Sequence, residues 1–180
     1  QKDDALAVLA KSLGWHLYRG DEEDVLSRFF DLTKMENPSL VVRVCADNFA
    51  ISPELIDQAV EVCIKRNLDI CNPFLKHTYP FGVGAEVATS DALKRVENAT
   101  RNEEQSYREH IFSWAYNNPG EYSIDTLKAP KFLSRPDINV SVDTDRDLVR
   151  LRRVYSELAN RETKFDVEDL ITTWDRLGLT

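Results

Sequence analysis

Ser39-Leu-Val-Val-Arg-Val-Cys-Ala-Asp-Asn48 is a β-branched apolar run that ends in a carboxylate and an amide. Leu40 to Val44 has the near-continuous apolar character of a strand buried on both faces. Ser52-Pro53-Glu54-Leu55 follows, with Ser as N-cap and Pro at the first helical position. The helix it opens carries Leu55, Ile56, Ala59, Val60 and Cys63 inward. Strand, turn and helix in that order are the unit of an α/β sheet.

Outward from this unit the same alternation continues. Upstream, Asp3 to Leu13 shows one apolar face, with Leu6, Leu9, Ala10 and Leu13, before Gly14, a helix-ending glycine. Trp15 to Arg19 reads as a short strand. Asp21-Glu-Glu-Asp24 sets acids in the first turn of a helix with Val25, Leu26, Phe29 and Phe30 inward, ending before Asn37-Pro38. Downstream, Leu68 to Cys71 and Ala85 to Ala88 read as strands, and a helix capped at Ser90 comes next. Another helix runs from about Glu104 to Asn117, stopped by Asn118-Pro119-Gly120. Tyr122 to Leu127 and Ile138 to Val142 read as two more strands. Helices from Asp143 to Ala159 and from Phe165 to Leu177 close the chain. Strands alternating with helices of this length predict an α/β fold with a mainly parallel sheet, in a single domain spanning 1–180.

Composition narrows the function. The 180 residues are 42% hydrophobic and 30% charged, those of a soluble globular domain that buries roughly 70% of its unfolded surface. A net charge of −8 argues against wrapping a nucleic-acid polymer, which needs clustered cations. It does not exclude a nucleotide. Cys45, Cys63 and Cys71 match no zinc spacing and read as reduced, mostly buried thiols of a cytoplasmic protein. These residues contain no membrane-length apolar run, and a signal peptide is not expected.

The candidate chemistry is acidic. Asp47 lies beyond the end of its strand, where open α/β sheets place their ligands, and Ser52 already caps the next helix. Asp47 is thus either a turn residue or a ligand to a hard cation. Asp143 follows Ile138-Asn-Val-Ser-Val142 in the same way. On spacing alone Asp143, or Thr144, is the N-cap of the long helix, because Thr144-Asp-Arg-Asp147 has the outline of a capping box. Glu86 follows the glycine-bearing loop Pro80-Phe-Gly-Val-Gly84, which serves either a tight turn or close approach to a ligand. His110, in Arg108-Glu109-His110, flanks an apolar helix face and reads as either a packed histidine or a catalyst. A serine nucleophile elbow, a zinc-protease motif, a Walker loop and a dinucleotide fingerprint are all absent.

Taken in order, six stretches resemble the cytidylyltransferases of the spore coat polysaccharide biosynthesis type. These are relatives of the enzymes that activate acidic sugars with CTP. The stretches are Tyr18-Arg-Gly-Asp-Glu-Glu-Asp-Val-Leu-Ser-Arg-Phe29, Val42-Arg-Val-Cys-Ala-Asp47, Ile51-Ser-Pro-Glu-Leu-Ile-Asp57, Thr78-Tyr-Pro-Phe-Gly-Val-Gly-Ala-Glu-Val87, Arg108-Glu-His110 and Val142-Asp-Thr-Asp-Arg-Asp147.

The resemblance implies a Rossmann-like three-layer sandwich of the nucleotide-diphospho-sugar transferase type. It also implies Mg²⁺ held by Asp47 and Asp143 as catalytic residues, with Glu86, Arg108 and His110 facing the sugar. The expected reaction is transfer of CMP from CTP to an acidic sugar for surface glycan synthesis, with release of pyrophosphate. The expected partners are CTP and that sugar, with no nucleic-acid polymer and no membrane, in a cytoplasmic homodimer. Three departures accompany the likeness. The family's basic glycine loop and first strand would lie before Gln1, so these residues are expected to be about the C-terminal three quarters of a longer parent and inactive by themselves. Asn48-Phe-Ala-Ile51 replaces a proline and an apolar pair, and Phe81 and Gly84 stand where many members are acidic. A catalytically incompetent relative serving as a scaffold, or a sugar-1-phosphate nucleotidyltransferase, are the alternatives.

Overall fold

The computed structural model describes residues 3–103, 105–159 and 164–179. The chain divides into two compact units, one of Gln1–Pro38 with Leu93–Asn117, the other of Ser39–Ala92 with Asn118–Thr180.

In the first unit every described regular element is a helix. They are α1 (Asp4–Ser12), α2 (Val25–Glu36), the part of α4 (Ser90–Ala99) from Leu93 onward, α5 (Gln105–Glu109) and α6 (Ser113–Asn117). Asp24 does not sit in the first turn of α2; it is the N-cap, accepting from the Ser27 N–H at 2.9 Å. The stretch expected as one helix to Asn117 is two, since His110 ends α5 and its carbonyl accepts from both the Ser113 N–H (2.9 Å) and hydroxyl (2.7 Å). Its expected start, Glu104, lies outside the described residues. Trp15 to Arg19 forms no strand. A strand needs a neighbour for its backbone groups, and this unit supplies none. The apolar face of α1 is exposed, Leu6 at 64% and Leu9 and Leu13 at 52%.

The second unit holds the sheet, made of β1 (Leu40–Arg43), β2 (Ile70–Cys71), β3 (Glu86–Thr89) and β4 (Ile124–Asp125) in the order β1-β3-β2-β4. It is α/β, as expected, but the sheet is mixed. β3 runs antiparallel to both β1 and β2, while β2 and β4 are parallel. Only β2–β4 of these ladders follows the expected parallel sense. β3 returns directly to the sheet from the glycine loop with no helix to turn it round, so it enters in the opposite sense.

Helix α3 (Pro53–Lys65) packs on β2 and β3. Its cap is the one foreseen: Ser52 Oγ accepts from the Leu55 N–H at 3.3 Å. Leu55, Ala59 and Cys63 point from α3 into a core shared with Cys71, Val87, Ile138 and Val140. The same core takes Leu151, Val154 and Leu158 of α7 (Asp145–Ala159). It also takes Val167, Leu170, Ile171 and the fully buried Trp174 of α8 (Val167–Arg176). Cysteines 45, 63 and 71 are all free, with Cys63 and Cys71 buried.

Burial pushes the Cys71 thiol up to about 11, and Cys45 and Cys63 are raised as well, again chiefly by burial. Thiolate is the reactive form. A thiol reagent at pH 8 is therefore expected to label Cys63 and Cys71 only as fast as the protein opens. Mass spectrometry of partially labelled protein checks this, and rapid modification of Cys71 in folded protein would contradict it.

Candidate active site

One edge of the sheet collects polar side chains. The ladder registers place Arg43 opposite Glu86, Cys71 opposite Val87, and Cys71 opposite Asp125. The carboxyl ends of β1, β2 and β4 and the start of β3 therefore share that edge, where open α/β sheets bind ligands. Glu86 is held there by Arg43, whose Nη1 donates to Oε2 at 2.6 Å, and by the Asn72 amide, which donates to Oε1 at 3.1 Å. Both members of the ion pair are largely buried, so losing one would strand the other's charge. The pair was not foreseen, although an arginine inside the apolar run Leu40 to Val44 was its signal. A buried charge requires a partner.

Beyond β1 the chain turns, with the Asn48 N–H donating to the Cys45 carbonyl at 3.2 Å. Here the two chain segments that carry the aspartates meet. The Val142 N–H donates to the Asp47 carbonyl at 2.9 Å, and Asn48 and Ser141 form an antiparallel bridge. On the other side of residues 138–142, the Phe81 N–H donates to the Ile138 carbonyl at 2.8 Å, and Val140 donates back to Phe81 at 3.0 Å. The expected strand from Ile138 to Val142 is thus a splint with two isolated bridges, and it carries Asp143 beside Asp47.

Both aspartates are exposed. Asp143 Oδ1 accepts from the Ser141 hydroxyl at 3.0 Å, which orients the carboxylate. Thr144 is the residue that caps α7. Its hydroxyl accepts from the Asp147 N–H at 3.2 Å, and Asp147 Oδ2 accepts from the Thr144 N–H at 3.0 Å. Asp143 is thereby released from capping and stands just ahead of a helix N-terminus, where negative charge is favoured.

Gly82 makes the approach possible. Its φ is +94°, and an added Cβ would lie 2.9 Å from Asn48 Oδ1 and 3.0 Å from Val140 Cγ2. Gly82→Ala is expected to cost about 1–3 kcal/mol through strained backbone and to shift the Asp47–Asn48 turn. A denaturant titration showing an unchanged midpoint would contradict that role.

Arg108 and His110 belong to the helical unit. The Arg108 guanidinium is 11% exposed and fully committed. It donates from Nε and Nη2 to Asp24 (2.8 to 3.1 Å), and from Nη1 to Glu97 at 2.7 Å and the Thr100 hydroxyl at 3.2 Å. His110 is exposed at the end of α5.

Among the described residues no cluster of three or more His, Cys, Asp or Glu could hold a metal by protein ligands alone. Mg²⁺ does not need one. It takes one or two carboxylates and fills its remaining positions with water and substrate phosphate. Two exposed aspartates with hard oxygen donors, on adjoining backbone, fit that requirement.

The fold and the site together describe an α/β protein with two exposed aspartates on hydrogen-bonded segments beyond its sheet. The chain belongs to the cytidylyltransferase family, whose sequence profile, described as Cytidylyltransferase, matches residues 2–168. An uncharacterized protein of Methanocaldococcus jannaschii is 36% identical over 159 residues, covering 88% of this chain and 61% of the relative. The spore coat polysaccharide biosynthesis protein SpsF of Bacillus subtilis is 28% identical over 180 residues, covering 98% of this chain and 71% of that protein. The chain thus spans about three fifths of the first relative and some seven tenths of the second. A cytidylyltransferase structure from Leptospira borgpetersenii superposes with a TM-score of 0.89 at 21% identity, covering 98% of this chain and 72% of that one. That likeness establishes the Rossmann-like α/β fold. No described helix is long and apolar enough to cross a membrane.

Proposed function

We propose that this chain is part of an enzyme that transfers CMP from CTP to an acidic sugar in glycan synthesis and releases pyrophosphate. The observation that carries the reading is the hydrogen bond from the Val142 N–H to the Asp47 carbonyl, which joins the segment before Asp143 to the turn that holds Asp47. The family match and the relatedness to SpsF support the same reaction class.

In this reaction a sugar hydroxyl oxygen bonds to the α-phosphorus of CTP, the bond from that phosphorus to the β-phosphate oxygen breaks, and the hydroxyl proton is lost to solvent. Positioning and charge neutralisation dominate such a transfer. Asp47 and Asp143 would hold Mg²⁺, which when bound offsets charge on the triphosphate. The Ser141 hydroxyl orients the Asp143 carboxylate, and the backbone bond from Val142 holds the neighbouring segment to Asp47. Glu86, set by Arg43 and Asn72, faces the sugar in this reading. Within the helical unit Arg108 holds α5, which is followed by His110, to Asp24 and Glu97. A homodimer in the cytoplasm goes with the proposal, and sedimentation of the intact protein checks its oligomeric state.

Calorimetry of the intact protein with CTP, with and without Mg²⁺, tests the reading. Binding that requires Mg²⁺ and weakens in Asp47→Asn supports it. Absence of CTP binding would favour a scaffold subunit instead, and turnover with a sugar 1-phosphate alone would move the acceptor to that class.

A further inference from the structure

Helix α7 turns three arginines, Arg146, Arg150 and Arg153, into one cleft of about 520 Å³. Spaced four and three positions apart, they occupy one face on successive turns, an arrangement of like charges that destabilises a helix unless something compensates it. The chain's net charge is −8, so such a patch does not follow from composition.

The middle arginine is built in. Arg150 Nη2 donates to Asp147 Oδ1 at 2.7 Å and to the Asn139 carbonyl at 3.3 Å, and its guanidinium lies 5.1 Å over the buried Trp174 ring. Its Nε is buried without an acceptor. Arg146 and Arg153 are exposed and, among the described residues, have no hydrogen-bond or ion-pair partner. Among the described residues that line the cleft Asp145 is the single carboxylate, and Val149 and Leu179 give an apolar shoulder.

The cleft therefore offers two free guanidinium forks beside a fixed one. Guanidinium forks match the oxygens of phosphate groups and bind them with charge-assisted, paired hydrogen bonds. From Arg146 to Arg153 the helix rises about 10 Å, more than a single phosphate spans but within reach of linked phosphates gripped by long side chains. We propose that this cleft is a binding site for a soluble oligophosphate of two or more linked phosphates. Neither Asp47 nor Asp143 lines it.

The test is calorimetry of the intact protein without divalent cations, using tripolyphosphate and, in parallel, inorganic phosphate. The expected result is one saturable site for tripolyphosphate, at least ~10-fold tighter than phosphate, which falls ~10-fold or more in R146A/R153A. The doubly substituted D47N/D143N protein is expected to bind it unchanged. Both arginines are exposed, so thermal melting should be unaltered, and R146Q alone provides a milder variant should the double one melt early. Equal affinity in R146A/R153A, equal affinity for phosphate, or loss of binding in D47N/D143N would each overturn the proposal. Failure of Mg²⁺-dependent CTP binding is a separate result and leaves this one standing.

Discussion

Asp47→Asn and Asp143→Asn, each made in the intact protein, are expected to lower kcat by ~10²-fold or more while leaving the fold intact. Each replaces a carboxylate with a neutral group of the same shape, so the loss is of charge and not of packing. Both side chains are exposed, and exposed substitutions away from special features usually change stability by under about 0.5 kcal/mol. In Asp143→Asn the Ser141 hydroxyl can still donate to the side-chain oxygen, which preserves the local geometry. Steady-state kinetics with CTP and an acidic sugar acceptor, alongside thermal melts, separate the two effects. Near-normal turnover in both variants would remove the metal role from this pair.

The second large effect concerns stability. Arg108→Ala is expected to destabilise the helical unit by about 3–5 kcal/mol, because it leaves the carboxylates of Glu97 and Asp24 without their cation. Glu97 is only 10% exposed, and Asp24 also caps α2. Arg108→Lys should recover only part of the loss, since one ammonium cannot reproduce the fork that reaches Asp24, Glu97 and Thr100 together. Hydrogen exchange read over α2 and α5 localises the change. Unaltered protection there in Arg108→Ala would show that the network contributes nothing.

The same network sets a pH dependence. Burial alone would raise the Asp24 carboxyl, but hydrogen bonds from Arg108 and Ser27 outweigh it and hold the group below its ordinary value. A depressed carboxylate pKa stabilises the fold above the unfolded value, near 3.9, and that contribution is lost as pH falls through the folded value. Protection of α2 should therefore decline below about pH 4 in the native protein. The decline should be smaller in Arg108→Ala.

Much of the second unit was legible in the residues. β1 followed from a β-branched run, and the cap of α3 from Ser52 and Pro53, because both signals are written within a few neighbouring positions. The apolar face of α1 was legible from its spacing, whereas its exposure was not. The strand expected at Trp15 failed because a strand is half of a pair, and its pattern says nothing of the partner. The β3 direction was missed for the same reason. The Arg108 reading as a sugar-facing residue came from family likeness, and its burial among Asp24, Glu97 and Thr100 was invisible to helical spacing.

By itself, the sequence determined the α/β class, most of the helix limits and the place of Asp47 beyond a β-branched strand, although that strand lies at the sheet edge with Val42 exposed and is not buried on both faces. Periodicity, caps and turn residues are local properties, and they survive in a chain read one window at a time. Only the tertiary structure decided that the segment before Asp143 pairs with the turn of Asp47, that Thr144 caps α7, and that Arg43 pairs with Glu86. Those facts rest on backbone register and on the need of buried charges for partners. Both join residues far apart in the chain and are settled when the whole core closes.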